Sequence, residues 1–382
     1  LGSISMNGAR AIGPAIAGAL VSLSGPTLVF ALNAVSFVGI VVVLIVWRRP
    51  ATERQLPAER PLAALSAGGR FIRSAPIIRR VLLRAVLFIA PGSALWGLLA
   101  VIAKDQLAQS SSGYGLMLGA LGVGAVLGAV VLGPLRSVFG QNGLLVAAAL
   151  GFAAATTVLA LVHNVAVVLV ALVVGGMAWL ATLATMNASM QLSLPAWVRA
   201  RGLSVYQLVF MGGQAIGSLV WGLLAGATSS VTALLVSAGL LVFCALSVWW
   251  WPLHERTGDL DLTPSAHWPE PALVFEPEPP DGPVLVLTSY RVQPDNETEF
   301  LAAMARLGRS RQRSGASQWR VFRHVERDNT FVEAFIVRSW GEHMHQHRTR
   351  LTGQDLIIEQ DVERYTDGAP VSQHLIAAKS EG

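Results

Sequence analysis

Two histidines near the carboxyl end of the chain have the spacing of metal ligands. His343 and His347 are four residues apart, so a helix places both imidazoles on one face. Zn²⁺ accepts such a pair, but a protein metal site needs at least a third ligand, and the sequence places none nearby. We therefore expect neither a metal nor a cofactor, and we keep Trp340, His343 and His347 as candidate binding residues.

A second group, at the amino end, could act inside a membrane. Pro14 follows Gly13 within an apolar run, and a proline inside a helix removes a hydrogen bond and bends the helix. Gly13 and Gly18 permit close approach of a second helix. Arg10 is the one charge well inside this run. Charges in membrane helices usually serve function, whereas an arginine near a helix end can extend to the membrane surface, and both roles stay open for Arg10.

The charge distribution shows what kind of protein must position these residues. Charged residues make up 13% of the chain, against about 25% in a typical soluble domain. Only three of the 23 acidic residues, Glu53, Glu59 and Asp105, precede residue 255. So few charges could not cover a soluble surface of that size, which excludes a single soluble globular protein. The net charge of +5 comes from arginines between apolar segments, which excludes a nucleic-acid binder.

Eight segments are long and apolar enough to cross a bilayer, which takes about 20 residues each. The predicted spans are 4–24, 27–47, 81–103, 113–135, 143–163, 165–190, 202–226 and 229–252. Alternate loops differ in charge, because one set contains eleven arginines and the other contains Lys104 alone. Basic loops remain in the cytoplasm. The sequence therefore predicts a multi-pass protein of the cytoplasmic membrane, with loop 48–80 and the carboxyl-terminal tail inside the cell.

An internal repeat relates the first two spans to the last two. Ala11-Ile12-Gly13 recurs as Ala215-Ile216-Gly217, and further apolar positions agree at the same offset. Repeated parallel halves are a known transporter architecture. If the chain is built from two six-span halves, the first half lacks its first four spans. We therefore expect an amino-terminally truncated protein with about 8 of 12 spans.

The motifs resemble those of the major facilitator superfamily. Arg10-x-x-Gly13-Pro14-x-x-x-Gly18 resembles the Gly-Pro motif on the fifth helix of its exporters, although Ala17 and Ile4 stand where glycine is usual. Residues 69–73 are similar to part of the central cytoplasmic loop, and residues 195–201 to the loop before the eleventh helix. The soluble tail narrows the resemblance to the branch of the enterobactin exporter and related multidrug efflux proteins.

The resemblance implies a contact between the halves. In that superfamily the Gly-Pro helix faces the helix that corresponds to span 113–135, whose small residues form a stripe. Such a contact would control leak and alternating access, although plain helix packing also explains small residues. The transport and gating candidates are Arg10, Gly13, Pro14, Gly18, Gly119, Gly124 and Gly128.

Proton coupling requires a titratable group along the transport pathway. The predicted spans contain no Asp or Glu, so a coupling carboxylate would belong to the missing helices, or the coupling is different. The candidates for a substrate cavity are the polar and aromatic residues Asn33, Trp96, Trp179, Asn187 and Gln191. Each also suits a hydrogen bond between helices or an anchor at the membrane interface.

The tail is predicted to be a separate α+β domain. Residues 253–283 are rich in proline and glutamate, which is typical of an extended, poorly ordered linker. The following segments alternate in β-α-β-β-α-β order, which predicts a ferredoxin-like sandwich. This domain resembles the antibiotic-biosynthesis monooxygenase family, whose members pair into dimeric barrels, and that implies a homodimer through the tail. The predicted domains are 1–47, 48–80, 81–252, 253–283 and 284–382.

These observations favour a secondary active transporter that exports a drug, siderophore or metabolite. A membrane-tethered, oxygenase-like enzyme and a sensor that does not transport are the alternatives, and both would act through the tail. Substrate-dependent oxygen consumption by the tail would indicate the enzyme, whereas the loop charges and the repeat favour transport. The expected partners are a small molecule and the lipid bilayer, with no nucleic acid and no catalytic residue.

Overall fold

The computed structural model describes residues 26–47, 61–253, 260–271 and 273–378. These residues form two compact units. The first unit comprises 26–47, 80–189 and 206–253, and consists of apolar helices. The second comprises 61–79, 190–205 and the tail from residue 260 onwards.

The apolar segments form long helices, as their hydropathy predicts. Within the described residues, five helices are long and apolar enough to cross a membrane. The helices up to residue 246 are α1 Pro26–Val46, α2 Pro61–Ser74, α3 Pro76–Val101, α4 Ser111–Leu161, α5 Val165–Ser193, α6 Ala196–Ala227 and α7 Ser230–Leu246. The prediction of a polytopic helical protein is therefore confirmed, while span 4–24 lies outside the described residues.

Helix α4 is 51 residues long and is broken near its middle. Gly140 has φ +65° and ψ −179° there, a conformation that is strained for residues with a Cβ. The break separates two apolar stretches, each of a length that crosses a bilayer. The sequence predicted spans 113–135 and 143–163 on the two sides of this position, so the turn between them lies where it was expected.

The tail forms a four-stranded antiparallel sheet covered by helices. The strands are β1 Val284–Arg291, β2 Gln318–Arg323, β3 Thr330–Val337 and β4 Val371–Ile376, in the order β2-β3-β1-β4. The helices are α8 Glu297–Ser314, α9 Trp340–His345, continued by a π-turn over Gln346–Arg350, and α10 Gly353–Glu363. This order and this pairing confirm the predicted ferredoxin-like α+β fold.

One face of the sheet makes the core of the tail. Side chains alternate along β1, so Val284, Val286 and Tyr290 are buried. Helix α8 covers Tyr290 with Phe300, which is 0% exposed, while Val284 and Val286 pack with Phe335 and Trp340. This burial fixes the register that brings polar side chains of the same face together.

The described residues of 260–283 form no helix and no strand longer than an isolated bridge at Pro264, yet hydrogen bonds hold them along the tail domain. This differs from the extended, poorly ordered linker that their composition indicated. The Ser265 amide donates to the Leu351 carbonyl (2.9 Å), and the Gly353 amide donates to the Thr263 carbonyl (3.1 Å). The Trp340 amide donates to the Asp281 carbonyl (2.6 Å). Proline content favoured an extended backbone, and the domain supplies the hydrogen-bond partners for it.

The second unit also contains two segments that the sequence places between spans. Loop 48–80 was predicted as a cytoplasmic loop without assigned secondary structure, and residues 61–74 within it form the amphipathic helix α2. Its Arg70 forms an ion pair with Glu342 of α9, and its Phe71 packs edge-on against Trp197, with ring centroids 5.6 Å apart. The Arg350 guanidinium lies 5.1 Å from the centre of the Trp197 ring. The tail domain therefore contacts both inter-span segments of this unit.

Candidate functional site

Helix α3 contains a proline, and side chains from two other helices donate hydrogen bonds to the carbonyls beside it. Pro91 has no N–H, so one hydrogen bond of the helix is missing. The Ala90 carbonyl accepts from the Trp221 indole N–H of α6 and from the Ser93 hydroxyl, each at 2.7 Å. The Pro91 carbonyl accepts from the Ser237 hydroxyl of α7, also at 2.7 Å. The carbonyl that loses its helical donor at Pro91 is that of Leu87, four residues earlier, so these side-chain bonds are additional ties between α3 and its neighbours.

Pro91 was not among the residues that the sequence predicted to act in transport. Its signal was present, because Pro91 and Gly92 interrupt an apolar run that is long enough to span. The partners from α6 and α7 had no signal, since helix periodicity does not specify which residues of two distant helices meet.

Trp179 lies at the centre of an aromatic cluster in the helical unit. Its ring centroid is 5.5 Å from that of Trp96, 5.6 Å from Phe88, 5.4 Å from Phe152 and 6.3 Å from Phe210. The structure thus brings together Trp96 and Trp179, two of the predicted cavity residues. The Trp96 indole N–H is buried and has no hydrogen-bond partner among the described residues, so it is available to donate to a ligand.

The small-residue stripe of α4 contacts α5. A Cβ at Gly124 would overlap the Val173 carbonyl oxygen, and a Cβ at Gly128 would lie 3.0 Å from the Met177 Cα. The contact is equally close from α5, because a Cβ added at Gly176 would overlap the Leu121 carbonyl oxygen. The backbones therefore touch, so Gly124 and Gly128 act in packing within this bundle, and Gly119 is half-buried. The implied contact of this stripe with span 4–24 lies outside the described residues.

The remaining predicted transport residues are exposed or undescribed. Asn187 and Gln191 lie four residues apart on α5, and both are exposed. Asn33 on α1 is exposed as well. Polar side chains avoid lipid, so a shared exposed face of this kind favours a cavity or another protein surface. The candidates at the amino end, Arg10, Gly13, Pro14 and Gly18, lie outside the described residues.

Arg84 is a buried charge that was not among the predicted site residues. It is 1% exposed, and its guanidinium donates to the Ser247 hydroxyl (2.8 Å) and to the Cys244 carbonyl (3.2 Å). Both acceptors are neutral, which is a costly environment for a charge and favours a functional role.

The tail contains a buried network of charged side chains. Arg311 of α8 donates from Nε to Glu333 (3.1 Å) and from Nη1 to Glu359. Glu333 is 0% exposed and also accepts from the Trp319 indole N–H (2.8 Å) and the Tyr290 hydroxyl (2.9 Å). Each carboxylate therefore has several donors, which a buried charge requires.

These contacts shift the acid–base equilibria of the network. Burial alone would raise the pKa of Glu359, but the positive charge of Arg311 and the hydrogen bond from His267 lower it to about 2. Burial would lower the pKa of Arg311, but Glu333 and Glu359 raise it instead. Burial and the neighbouring Glu333 raise the pKa of Tyr290. Glu359 and Arg311 therefore carry opposite charges at neutral pH.

A cavity of about 770 Å³ borders this network. Its walls combine aromatic and polar side chains, among them Trp268, Arg311, Trp340, His347, Glu359 and His374. That volume is in the range of small-molecule sites in proteins. Trp268, from the segment that precedes the domain, donates from its indole N–H to Glu359 (2.9 Å) and lies over the Arg311 guanidinium (4.6 Å).

The predicted tail residues lie together at one end of the cavity. The rings of Trp340 and His343 have centroids 5.6 Å apart, and those of His343 and His347 are 4.7 Å apart. The structure adds His374 of β4, whose ring centroid is 4.9 Å from that of His343. The third imidazole that the sequence lacked is therefore present. No local signal could have located it, because strand pairing beside Val286 brings it there.

All three imidazoles are in an environment that favours the neutral form. Burial lowers the pKa of His343 to about 4, against a weaker opposing effect of its hydrogen bond to Gln346. Burial and the neighbouring His343 lower the pKa of His347 to about 3. Burial also lowers the pKa of His374.

Comparison with known proteins gives the chain a family. The family model described as transmembrane secretion effector matches residues 1–381. A solved structure of a protein from Caulobacter crescentus CB15, named as an antibiotic biosynthesis monooxygenase, is 18% identical over 26% of this chain and 94% of that one, with a TM-score of 0.24. Nothing about the activity of the tail follows from that score. No curated protein matches the chain. Because the family model covers nearly every residue, the chain belongs to the transmembrane secretion effector family of the major facilitator superfamily, a family of membrane transporters.

Proposed function

We propose that this transporter exports a small molecule, in the class of drugs, siderophores or metabolites, from the cytoplasm by secondary active transport. The position of Pro91 inside the spanning helix α3, with side chains of α6 and α7 bonded to the carbonyls beside it, is the observation that carries the proposal. A helix that lacks one hydrogen bond at a proline has a point at which it can bend. The aromatic cluster around Trp179 supplies an apolar surface for an amphipathic substrate beside this point.

Coupling belongs to the same proposal. Among the described residues of the helical unit, the one acidic side chain is Asp105, which follows α3. We therefore place the proton-coupling group in the part of the transporter that the structure does not describe. In the same unit, Arg84 is a buried charge with neutral acceptors, and we propose that it takes part in the coupling.

Removing the hydrogen bond from Trp221 to the Ala90 carbonyl tests whether α3 bends at Pro91 during transport. In the substitution Trp221→Phe the ring remains and the donor is lost. If the bond is made in one access state only, we expect transport to fall by about threefold, which corresponds to the ~0.6 kcal/mol typical of such bonds in membranes. The measurement is the initial rate of ethidium uptake into inside-out membrane vesicles at matched protein abundance.

Trp249→Phe is the control, because Trp249 is 79% exposed. Equal uptake rates for the two variants and the unaltered protein would show that the contact of Trp221 beside Pro91 does not change during transport.

We further propose that the tail and the segment 61–79 lie in the cytoplasm. The support is the excess of arginine in the loops on that side of the predicted topology. Single cysteines introduced as Ser112→Cys and Glu326→Cys check this, because the native Cys244 is buried and should react little. A membrane-impermeant maleimide should label position 112 in intact cells and position 326 only after the membrane is opened. The reverse pattern would refute the orientation.

The open face of the tail sheet supports a homodimer as the assembled state. Leu285 pairs with Ile336 and Leu375 on the face away from α8, and Leu375 is 46% exposed. Phe322, on the same face of β2, is 52% exposed. An apolar face of this kind favours a protein partner, and the mass of the detergent-solubilised protein by light scattering distinguishes one copy from two.

A further inference from the structure

Three histidines of the tail converge, although they come from different elements. His343 lies on α9, His347 lies in the π-turn that follows, and His374 lies on β4. One ring nitrogen of each lies within 4.8 Å of the others. The Nε2 atoms of His343 and His347 are 3.2 Å apart. Two imidazole nitrogens on one tetrahedral Zn²⁺ are separated by about 3.3 Å, so this pair already has the required spacing.

A chain of hydrogen bonds fixes the orientation of His343. The Ser314 hydroxyl donates to the Arg311 carbonyl (3.1 Å), so its oxygen is left to accept from the Gln346 amide nitrogen (3.2 Å). The Gln346 amide oxygen then faces His343 Nδ1 (3.1 Å), which must carry the proton. His343 Nε2 therefore accepts the hydrogen bond from His347 Nε2 (3.2 Å), and a metal ion would bind in place of the proton that lies between these two nitrogens. Outer hydrogen bonds of this kind position the histidine ligands of metal sites.

The ligands are buried on one side and open on the other. His343 is 0% exposed and His347 is 5% exposed, while His347 and His374 also line the cavity. His347 Nδ1 is buried and has no hydrogen-bond partner among the described residues. This one imidazole nitrogen is thus buried without a partner, which is unusual for a buried polar atom.

We propose that His343, His347 and His374 bind one divalent first-row transition metal ion, with a fourth coordination position open to the cavity. Imidazole ligands suit Zn²⁺, Cu²⁺ and Ni²⁺. Three protein ligands with one open position is the arrangement in which an ion retains an exchangeable water or accepts a donor atom of a small molecule. The lowered pKa values of the three histidines agree with this, because metal ligands must be deprotonated. This inference does not depend on the direction of transport.

The test uses the full chain, purified in detergent without an affinity tag and treated with chelator. Zn²⁺ is titrated in competition with a chromogenic chelator, and Co²⁺ is titrated by its visible spectrum. We expect one equivalent of Zn²⁺ per chain and the intense absorption bands of four-coordinate Co²⁺. His374→Ala should weaken Zn²⁺ binding at least tenfold, and Gln346→Leu should weaken it by about 10- to 100-fold.

His324→Ala is the matched control, because His324 follows β2 and is not a member of the cluster. This variant should bind Zn²⁺ like the unaltered chain. The Co²⁺ spectrum of the unaltered chain tests the site even if a variant fails to fold. Substoichiometric Zn²⁺, the weak bands of six-coordinate Co²⁺, or equal losses in His374→Ala and His324→Ala would each overturn the proposal.

Discussion

Replacing Arg311 with methionine should destabilise the tail domain by about 3–5 kcal/mol. The substitution keeps most of the aliphatic volume but removes the guanidinium that binds Glu333 and Glu359. Glu333 is 0% exposed, so its carboxylate would remain buried beside another buried carboxylate. Breaking a buried ion pair from one side is costly because the second charge stays desolvated.

Urea-dependent proteolysis of the tail in the detergent-solubilised full chain measures this change. Arg306→Met is the matched control, because Arg306 lies on the same helix and pairs with Asp361 at the surface, where it is 46% exposed. Surface pairs contribute about 1 kcal/mol or less. Similar losses in the two variants would contradict the conclusion that the Arg311 network organises the interior of the tail.

The substitution Gly176→Ala should destabilise the helical unit by about 3 kcal/mol and abolish most of the transport. One methyl group is added at a point where α5 touches the backbone of α4, and its carbon would overlap the Leu121 carbonyl oxygen. Backbone cannot rotate aside as a side chain does, so the two helices must separate. Alanine has the higher helix propensity, so loss of α5 itself is not the cause.

Gly222→Ala is the control for this change, because nothing lies within 4 Å of a Cβ at Gly222. Thermal unfolding in detergent and vesicle uptake at matched abundance are the measurements. If Gly176→Ala has the unfolding temperature and the uptake rate of the unaltered protein, the contact between α4 and α5 is looser than the structure shows. A loss in Gly222→Ala of equal size would assign the effect to glycine in general.

Much of the fold was predictable because its signals are local. Apolar runs of sufficient length identified the spans of α3 to α7, and the glycine at position 140 lies in the break between two of them. Alternation of apolar residues identified the strands of the tail and their order. Helix α2 was not predicted because it follows a polar stretch of sequence and has only a short apolar face, which hydropathy averages conceal.

The sites were less predictable because they depend on contacts between distant segments. Trp96 and Trp179 were selected for their residue types alone, and helix packing makes them neighbours. His374 lies 27 residues beyond His347, and only the pairing of β4 with β1 brings it to the helix. Glu333 did carry a signal, since it occupies an inward position of β3 between Phe331 and Phe335. A buried carboxylate of this kind predicts a cationic partner.

The roles of Arg10, Gly13, Pro14 and Gly18 stay predictions, because the structure does not describe that segment. The resemblance that assigned them rests on a motif of four residues. The family match extends over the same segment, and its contact with span 113–135 stays a prediction.

Directed flux across the membrane tests the central claim most directly. The protein is expressed from its complete open reading frame, and inside-out vesicles receive an imposed proton gradient together with ethidium, a fluoroquinolone or a catecholate siderophore. An exporter should accumulate at least one of these compounds inside the vesicles, and collapse of the gradient should stop the uptake. If none of the three accumulates above the level of vesicles that lack the protein, at verified abundance and orientation, the proposal of small-molecule export is contradicted.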